Sequence, residues 1–502
     1  MSEGSVTLMW LLDGIAVVPK TDTQVLDITL DSREVRAGSL FLALRGGRSH
    51  GLEFAADAAA RGASAVLWES GPGTAAPVLP PAVFAAPVAD LGNLVGRIAD
   101  RFFGRPSSQL RIVAVTGTNG KTTCAYLIAQ CLERLKFDAA YMGTIGRGRI
   151  GALEVPTHTT PDAVSVHRAL AEFKSQGVRV VAMEVSSHAL DQGRVDGVRF
   201  HSAAFTNLTR DHLDYHPSIQ AYGAAKARLF EVEDLQHVII NIGDTFGREM
   251  ARRLAGRAAL TVIWIGDGDG NAGWPAAHSL HASEVSVERR GVSMSIDGSF
   301  GTLRVSTQLL GRFNAENSLV VLGCLLALGV PLADAASALA QCSAPPGRME
   351  LIEPRVRSKP LAVIDYAHTP DALAKALTSL REHCRGALWC VFGCGGDRDP
   401  GKRPMMGAIA DELADEIIVT DDNPRCEDPQ DIIRSIAGGI KSHGVRVIHD
   451  RGAAIAAALN EAGAGDVVLI AGKGHEDYQI YGATRRSFSD RREALRHLGA
   501  AA

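Results

Sequence analysis

At 502 residues the chain is longer than one hydrophobic core ordinarily serves, and a usual ~100–200 residues per domain predicts about three domains. Hydrophobic residues make up 46% and charged residues 22%, which excludes a disordered or collagen-like chain. With 52 Lys plus Arg against 56 Asp plus Glu, the net charge of -4 excludes a general attraction to nucleic acid or anionic lipid, so any anion must be held by a local arrangement.

The N-terminus carries Glu3 and Asp13 where an export signal needs a basic start and an uncharged apolar core, and no apolar run reaches membrane-spanning length. A cytoplasmic protein with no membrane insertion is therefore expected. Eight cysteines, at positions 124, 131, 324, 342, 384, 390, 394 and 426, form no CxxC pair, which argues for reduced core thiols rather than a zinc site or a disulfide framework. Residues 1–89 have a mixed pattern, with strands expected at 25–30 and 40–44 and a helix near 52–61, and are assigned to an α/β class. Pro, Gly and small residues interrupt the periodic patterns at 71–87 and 343–348, which predicts domains at 1–89, 90–345 and 346–502.

In the middle piece, β-branched runs at 112–116, 178–185 and 237–241 alternate with helical patterns, the signature of βαβ units in a mostly parallel sheet. The first run leads into Gly117-Thr118-Asn119-Gly120-Lys121-Thr122-Thr123 and then a helix with one apolar face. That context suits a P-loop: backbone N–H groups and the helix end wrap phosphate, Lys121 reaches the outer phosphates, and a Thr hydroxyl ligates magnesium. Val115 stands where the longer GxxxxGK[ST] form has its first Gly, and a tight strand-to-helix turn with an incidental lysine is the bland alternative. Glu184 ends one predicted strand and His212 lies just past another, AAFTN, so both belong at the carboxyl edge where such sheets bind ligands. A carboxylate suits magnesium; an imidazole is less usual, and a surface or capping histidine is an equal reading. Lys226, in YGAAKARLF, taken alone is an ordinary solvated lysine.

The last piece repeats the alternation in LAVID, ALWCVFG, DEIIVTD, VRVIHD and DVVLIAG, which predicts a second doubly wound domain. Its Gly-rich loop, Gly393 to Arg398, has Arg where GxGxxG needs the final Gly, so a dinucleotide is not supported. After the predicted strand 416–420 comes Asp421-Asp422-Asn423-Pro424-Arg425. A guanidinium fork beside an acid can hold the carboxylate and ammonium of an amino acid, although an Asx-Pro turn explains the same residues.

GTNGKTT, MEVSSHAL, TNLTRDHLDYH, YxxAKxxLF and DYAHTPDAL together resemble the Mur ligases, over nearly the whole chain. The resemblance implies an α/β protein of three domains: an N-terminal UDP-substrate-binding domain, a central P-loop parallel-sheet ATPase domain and a C-terminal Rossmann-like amino-acid-binding domain. It implies an ATP-dependent ligase of peptidoglycan synthesis that joins an amino acid to the D-Glu γ-carboxylate of UDP-N-acetylmuramoyl-L-Ala-D-Glu through an acyl phosphate. By the same resemblance Lys121, His212 and Lys226 are catalytic, and Thr122, Glu184, His212 and a carbamylated Lys226 (N6-carboxylysine) hold Mg2+. ATP contacts are implied for Gly117 to Thr123, Asn317, Arg348 and Asp365, with His368 nearby. The motif LDSREVRAGSLFLAL places the UDP-peptide on Leu30, Ser32, Gly47, Arg48 and Ser49, and the groove continues through Thr159, Thr160, Ser186, Gln192 and Arg194. His158 stands where the family often has Asn. Arg398, Asp422, Asn423, Pro424, Arg425, Gly472 and Glu476 match a diaminopimelate-selecting set, which favours meso-diaminopimelate over L-lysine. A monomer is expected. An L-lysine-adding relative, a folylpolyglutamate-type ligase and a non-catalytic P-loop NTPase are the alternatives.

Overall fold

A computed structural model describes residues 5–47, 49–71, 74–154, 159–256, 259–265, 277–442 and 444–499. The chain divides into two compact units, one running up to Thr261 and one from His278 onward, and each is described by itself.

The first unit begins with a four-stranded parallel sheet, Asp27–Thr29, Ser39–Ala43, Ala65–Glu69 and Phe84–Val88, in that spatial order. Every residue of Ser39–Ala43 is buried because both sheet faces are covered, which is why the strand reads as a continuous apolar run. Leu40, Leu42 and Leu67 pack with Leu8, Leu11, Leu12 and the helix Leu91–Phe102, while Phe41, Val66 and Trp68 pack against Ala55 and Ala58 on the other face. The helix expected at 52–61 begins as a 3-10 turn, Gly51–Phe54, and becomes α-helical over Ala55–Ala60. The interruption at 71–87 contains part of the edge strand Phe84–Val88, so it starts inside this sheet. Short runs such as AVLW and FAAPV are too brief for periodicity to mark them, and only pairing makes them strands.

The larger sheet of this unit has the order His237–Asn241, Ser202–Phe205, Arg111–Thr116, Val180–Glu184, Ala139–Gly143, Gly146–Gly148, parallel except for the last hairpin. The chain leaves Arg111–Thr116 toward one side and returns to build the other. The carboxyl end of Arg111–Thr116 is thus a topological switch point, where a ligand crevice is expected.

The second unit contains three antiparallel strands, His278–Glu288, Gly291–Gly298 and Leu303–Thr307, which depart from the mostly parallel pattern expected for 90–345. The outer two alternate buried and open residues over much of their length, as an antiparallel sheet with one covered face does, while Gly291–Gly298 between them is mostly buried. Beyond the helices Phe313–Ala327 and Leu332–Ala340 lies a sheet ordered Glu350–Ile352, Leu361–Asp365, Val467–Ala471, Leu388–Phe392, Glu416–Val419, Arg446–Val447. It is parallel apart from its first edge strand, as expected for the last piece, although VRVIHD contributes only the two exposed residues Arg446–Val447. Among the described residues no helix is long and apolar enough to cross a membrane.

Candidate active site

At the switch point Arg111–Thr116 passes through a glycine turn into the helix Lys121–Arg134. Gly117 and Gly120 take φ of +147° and +85°, and a Cβ at Gly117 would lie 1.9 Å from the Thr206 hydroxyl, so no side chain fits there. The turn is braced from the neighbouring strand end: Thr118 N donates to the Asn207 carbonyl (2.7 Å), Asn119 N to Asn207 Oδ1 (3.0 Å), and the Thr206 hydroxyl to the Asn119 carbonyl (2.6 Å). Cys124 N donates to the Gly120 carbonyl, so the amides of the preceding residues, Lys121, Thr122 and Thr123, point out of the helix N-terminus. Lys121 Nζ folds onto the carbonyls of Gly117 (2.9 Å) and Thr118 (2.8 Å).

Glu184 ends the adjacent strand with no solvent exposure. Its carboxylate accepts the hydroxyls of Thr122 (2.8 Å), Thr144 (3.1 Å) and Tyr141, and the Thr144 amide (2.8 Å). Gly143 is required for this closeness, since a Cβ there would fall 2.1 Å from Glu184 Oε1. Thr159 joins through the Thr144 hydroxyl at 3.0 Å. An all-oxygen set built on one carboxylate and several hydroxyls suits a hard cation such as magnesium. Among the described residues no three His, Cys, Asp or Glu side chains gather as a ready-made metal cage.

Lys226 occupies the end of the helix Ile219–Ala227 and is 1% exposed, contrary to the solvated reading. Its Nζ donates to the Gly117 carbonyl at 2.7 Å and sits 4.2 Å from the centre of the Tyr222 ring. Burial, reinforced by the nearby Lys121 charge, pushes the amine well below the ordinary lysine range. His212 has a φ of +51° and half-exposed side chain, and its ring meets that of His188 at 4.9 Å. His188 and His216 titrate below the ordinary histidine range through burial and their histidine neighbours, and His216 Nε2 lies 3.0 Å from the Ser187 hydroxyl.

The groove residues form one network beside this crevice. The Thr160 hydroxyl donates to the Glu184 carbonyl (2.9 Å), and Ser186 caps the short helix Ser187–Asp191. Arg194 donates to the Thr160 carbonyl (2.9 Å) and twice to Gln192 Oε1 (2.9 and 2.6 Å). Leu30 and Ser32 lie at the end of the N-terminal parallel sheet, where Asp31 caps the turn Ser32–Glu34. Gly47 and Ser49 belong to a tight turn closed by Gly46 N donating to the Ser49 carbonyl (2.9 Å). Arg48 and His158 lie outside the described residues.

In the second unit, Asp365, the Gly393–Arg398 loop, the Asp421–Arg425 loop and Gly472 to Glu476 all follow carboxyl ends of parallel strands. Asp365 accepts the amides of Met349 and Ala367, each at 2.8 Å; burial raises its carboxyl, opposed by the Arg348 charge. Arg348 lies 4.9 Å over the Tyr366 ring, next to His368. Asn317 is buried on its helix, donating to Asn314 Oδ1 at 2.7 Å. Arg425, at φ +54°, donates to the Gly396 carbonyl (2.6 Å), Pro424 is buried behind it, and Arg398 is exposed. Asn423 Nδ2 donates to Glu476 Oε2 at 2.9 Å, and a Cβ at Gly472 (φ +112°) would lie 2.7 Å from Asp422 Oδ2. The sequence reading missed Tyr141, Thr144, Thr206, Asn207 and His188 around the first crevice and the buried Lys473 in the second. Lysine within AGKGHED was the one available signal, and burial alone gives it meaning.

Family models match three successive segments: the Mur ligase family catalytic domain at residues 25–102, the Mur ligase middle domain at 115–325 and the Mur ligase glutamate ligase domain at 347–474. The UDP-N-acetylmuramoyl-L-alanyl-D-glutamate--2,6-diaminopimelate ligase of Ectopseudomonas mendocina is 47% identical over 487 residues, 96% of this chain and 97% of its own length. The ligase of the same name from Alkalilimnicola ehrlichii is 47% identical over 95% of each chain. A solved structure of a ligase with that name superimposes with a TM-score of 0.71 at 34% identity, over 99% of both chains. Identity at this level along the whole length, together with the glycine turn and the buried Glu184 and Lys226 beside it, establishes that the chain belongs to the Mur ligase family.

Proposed function

We propose that the chain is an ATP-dependent ligase that adds meso-2,6-diaminopimelate to the D-Glu γ-carboxylate of UDP-N-acetylmuramoyl-L-Ala-D-Glu, a step of peptidoglycan synthesis. The observation that carries the chemistry is the convergence of Lys121, Thr122, Glu184 and Lys226 at one switch point. Full-length identity to ligases of that printed name supports the choice of substrates. We assign three domains, 1–89 for the UDP-substrate, 90–345 for ATP and 346–502 for the amino acid; three successive matched segments support the number, the first running to 102, beyond the boundary at 89.

A free carboxylate is a poor acyl donor. One of its oxygens attacks the γ-phosphorus of ATP, the bond to the bridging oxygen breaks, and ADP leaves an acyl phosphate. The diaminopimelate amine then attacks the carbonyl carbon, loses a proton and expels phosphate. Amides of Gly117 to Thr123 and the Lys121 ammonium bind the phosphates, and Asn317, Arg348 and Asp365 contact ATP. Thr122, Glu184 and His212 would hold Mg2+, which when bound would neutralise charge between two anions that otherwise repel. Lys226, whose amine burial pushes well below the ordinary lysine range, would add CO2 at Nζ with release of a proton, and the carbamate so formed would join the residues that hold Mg2+. Leu30, Ser32, Gly47, Arg48, Ser49, Thr159, Thr160, Ser186, Gln192 and Arg194 bind the UDP-peptide, and Arg398, Asp422, Asn423, Pro424, Arg425, Gly472 and Glu476 bind diaminopimelate.

Phosphate release from ATP, measured with the UDP-muramoyl dipeptide and either meso-diaminopimelate or L-lysine, tests the reading. Release is expected only with dipeptide and meso-diaminopimelate both present. Equal or faster turnover with L-lysine overturns the specificity, and turnover without an amino acid overturns the ligase itself.

A further inference from the structure

Lys473 has no solvent exposure and follows directly on the strand Val467–Ala471. Its Nζ donates to Asn423 Oδ1 (3.2 Å) and Glu476 Oε2 (3.2 Å), and stands 3.9 Å from Asp422 Oδ1. One buried ammonium thus hydrogen-bonds two of the residues assigned to diaminopimelate and forms a looser ion pair with a third. Glycines on both sides allow the approach: Gly472 takes φ +112° against Asp422, and Gly474 takes φ +54° with a would-be Cβ 2.8 Å from Tyr366 Cβ.

The consequence falls on Asn423. Its Oδ1 accepts from both Lys473 Nζ and Ile480 N (3.0 Å), which uses both lone pairs. Its Nδ2 spends one hydrogen on Glu476 Oε2 (2.9 Å). The amide can therefore offer a ligand only its second N–H, a donor suited to a carboxylate. Glu476 Oε2 in turn is taken by Lys473 and Asn423, which orients Oε1 toward other donors, such as a ligand ammonium. Asp422 and Glu476 share one buried cation, so the trio keeps a single net negative charge.

We propose that Lys473 is a positioning residue that sets selectivity for an amino acid ending in both a carboxylate and an ammonium, by fixing the Asn423 amide and the Glu476 carboxylate in these orientations. The proposal rests on reading this crevice as the amino-acid site. Without Lys473 the Asp422 and Glu476 carboxylates lose their shared cation, and Glu476, held only by Asn423, no longer keeps the amide's remaining N–H and its own Oε1 fixed toward a ligand. L-Lysine, which lacks that distal carboxylate, loses little by the change.

The test compares wild type and Lys473→Met in steady-state kinetics with meso-diaminopimelate and L-lysine. Expected for the variant are a KM for meso-diaminopimelate raised about tenfold or more, a similar fall in the preference for it over L-lysine, and KM values for ATP and UDP-muramoyl dipeptide within about twofold of wild type. Because Lys473 acts through Glu476, Lys473→Met and Glu476→Gln should combine non-additively in a double-mutant cycle. Should Lys473→Met not accumulate folded, Lys473→Gln removes the cation while leaving a polar group to hydrogen-bond Asn423 and Glu476, and the same comparison decides. An unchanged KM for meso-diaminopimelate, or a common shift of all three KM values, overturns the proposal. Wild-type protein unable to use meso-diaminopimelate instead overturns the reading of the crevice, and the proposal with it.

Discussion

In the first unit's crevice the Glu184 carboxylate is buried among three hydroxyls and one amide, and two lysines, Lys121 and Lys226, donate to the same carbonyl of Gly117. In the second unit's crevice the buried charges meet each other instead. Lys473 stands between Asp422 and Glu476, and beneath the same strand end Arg451 makes a two-bonded pair with Asp490 (2.7 Å each), both fully buried. The difference fits what each is proposed to hold. A site for phosphates and a metal would receive its counter-charges from the ligands, so its carboxylate is solvated by hydroxyls and an amide rather than by a cation. A site for a zwitterion would have to present both signs at fixed places, so its charges are set by one another.

The largest way to break this comparison is to remove the charge that the first crevice lacks without its ligands. Lys226→Ala should lower kcat by about a thousandfold, and short carboxylic acids added to the assay should restore part of it. Full activity in the untreated variant would remove the carbamate role. Glu184→Gln keeps shape but loses the anion and turns N–H against the Thr122 and Thr144 donors; about a hundredfold loss of kcat is expected, with half-saturation by magnesium moved upward. A magnesium titration that does not move assigns Glu184 to scaffolding alone. In the other crevice, Arg425→Lys retains charge and loses the planar fork, so KM for meso-diaminopimelate should rise about tenfold while that for ATP holds.

The smallest effect tests a buried charge outside both crevices. His167 is fully buried, donates from Nε2 to the Asp196 carbonyl (2.9 Å), and its Nδ1 lies 3.6 Å from Asp100, beyond hydrogen-bond reach. Burial lowers its pKa from 6.5 to about 4. The unfolded chain therefore takes up this proton first, so stability present above 6.5 is lost as the pH falls toward 4. Denaturant unfolding of His167→Gln should show a loss between about pH 7 and pH 4.5 smaller by about 2 kcal/mol than in wild type. An identical loss in both proteins would show that other groups govern acid unfolding.

Local chemistry made much of this legible from the chain alone. GTNGKTT between a β-branched run and a helix defines a phosphate turn because the glycine conformations and the free helix end are properties of a few adjacent residues. The parallel strands of 361–365, 388–392, 416–419 and 467–471 were marked by their apolar runs, since both faces of that sheet are covered. Brief or half-open strands were not: Ala65–Glu69 has no signal of its own in the sequence, and the antiparallel strands of 278–307 lie outside the mostly parallel pattern.

Burial and partnership across long separations were decided only in three dimensions. Lys226 reads as an ordinary solvated lysine and Lys473 carries no reading of its own in the sequence, yet each is enclosed, one against a glycine carbonyl 109 residues away and the other against an asparagine 50 residues away. Glu184 was placed at a strand end by its sequence, but the Tyr141 and Thr144 donors that define its cradle come from a strand and loop 40 or more residues earlier. A side chain's charge state and orientation depend on desolvation and on neighbours supplied by other elements, and no spacing along the chain records them. The sequence by itself therefore determined the glycine turn at the helix Lys121–Arg134, the fold class and the residue types offered at each strand end. The tertiary structure decided which of those charges stand alone and which are held by another.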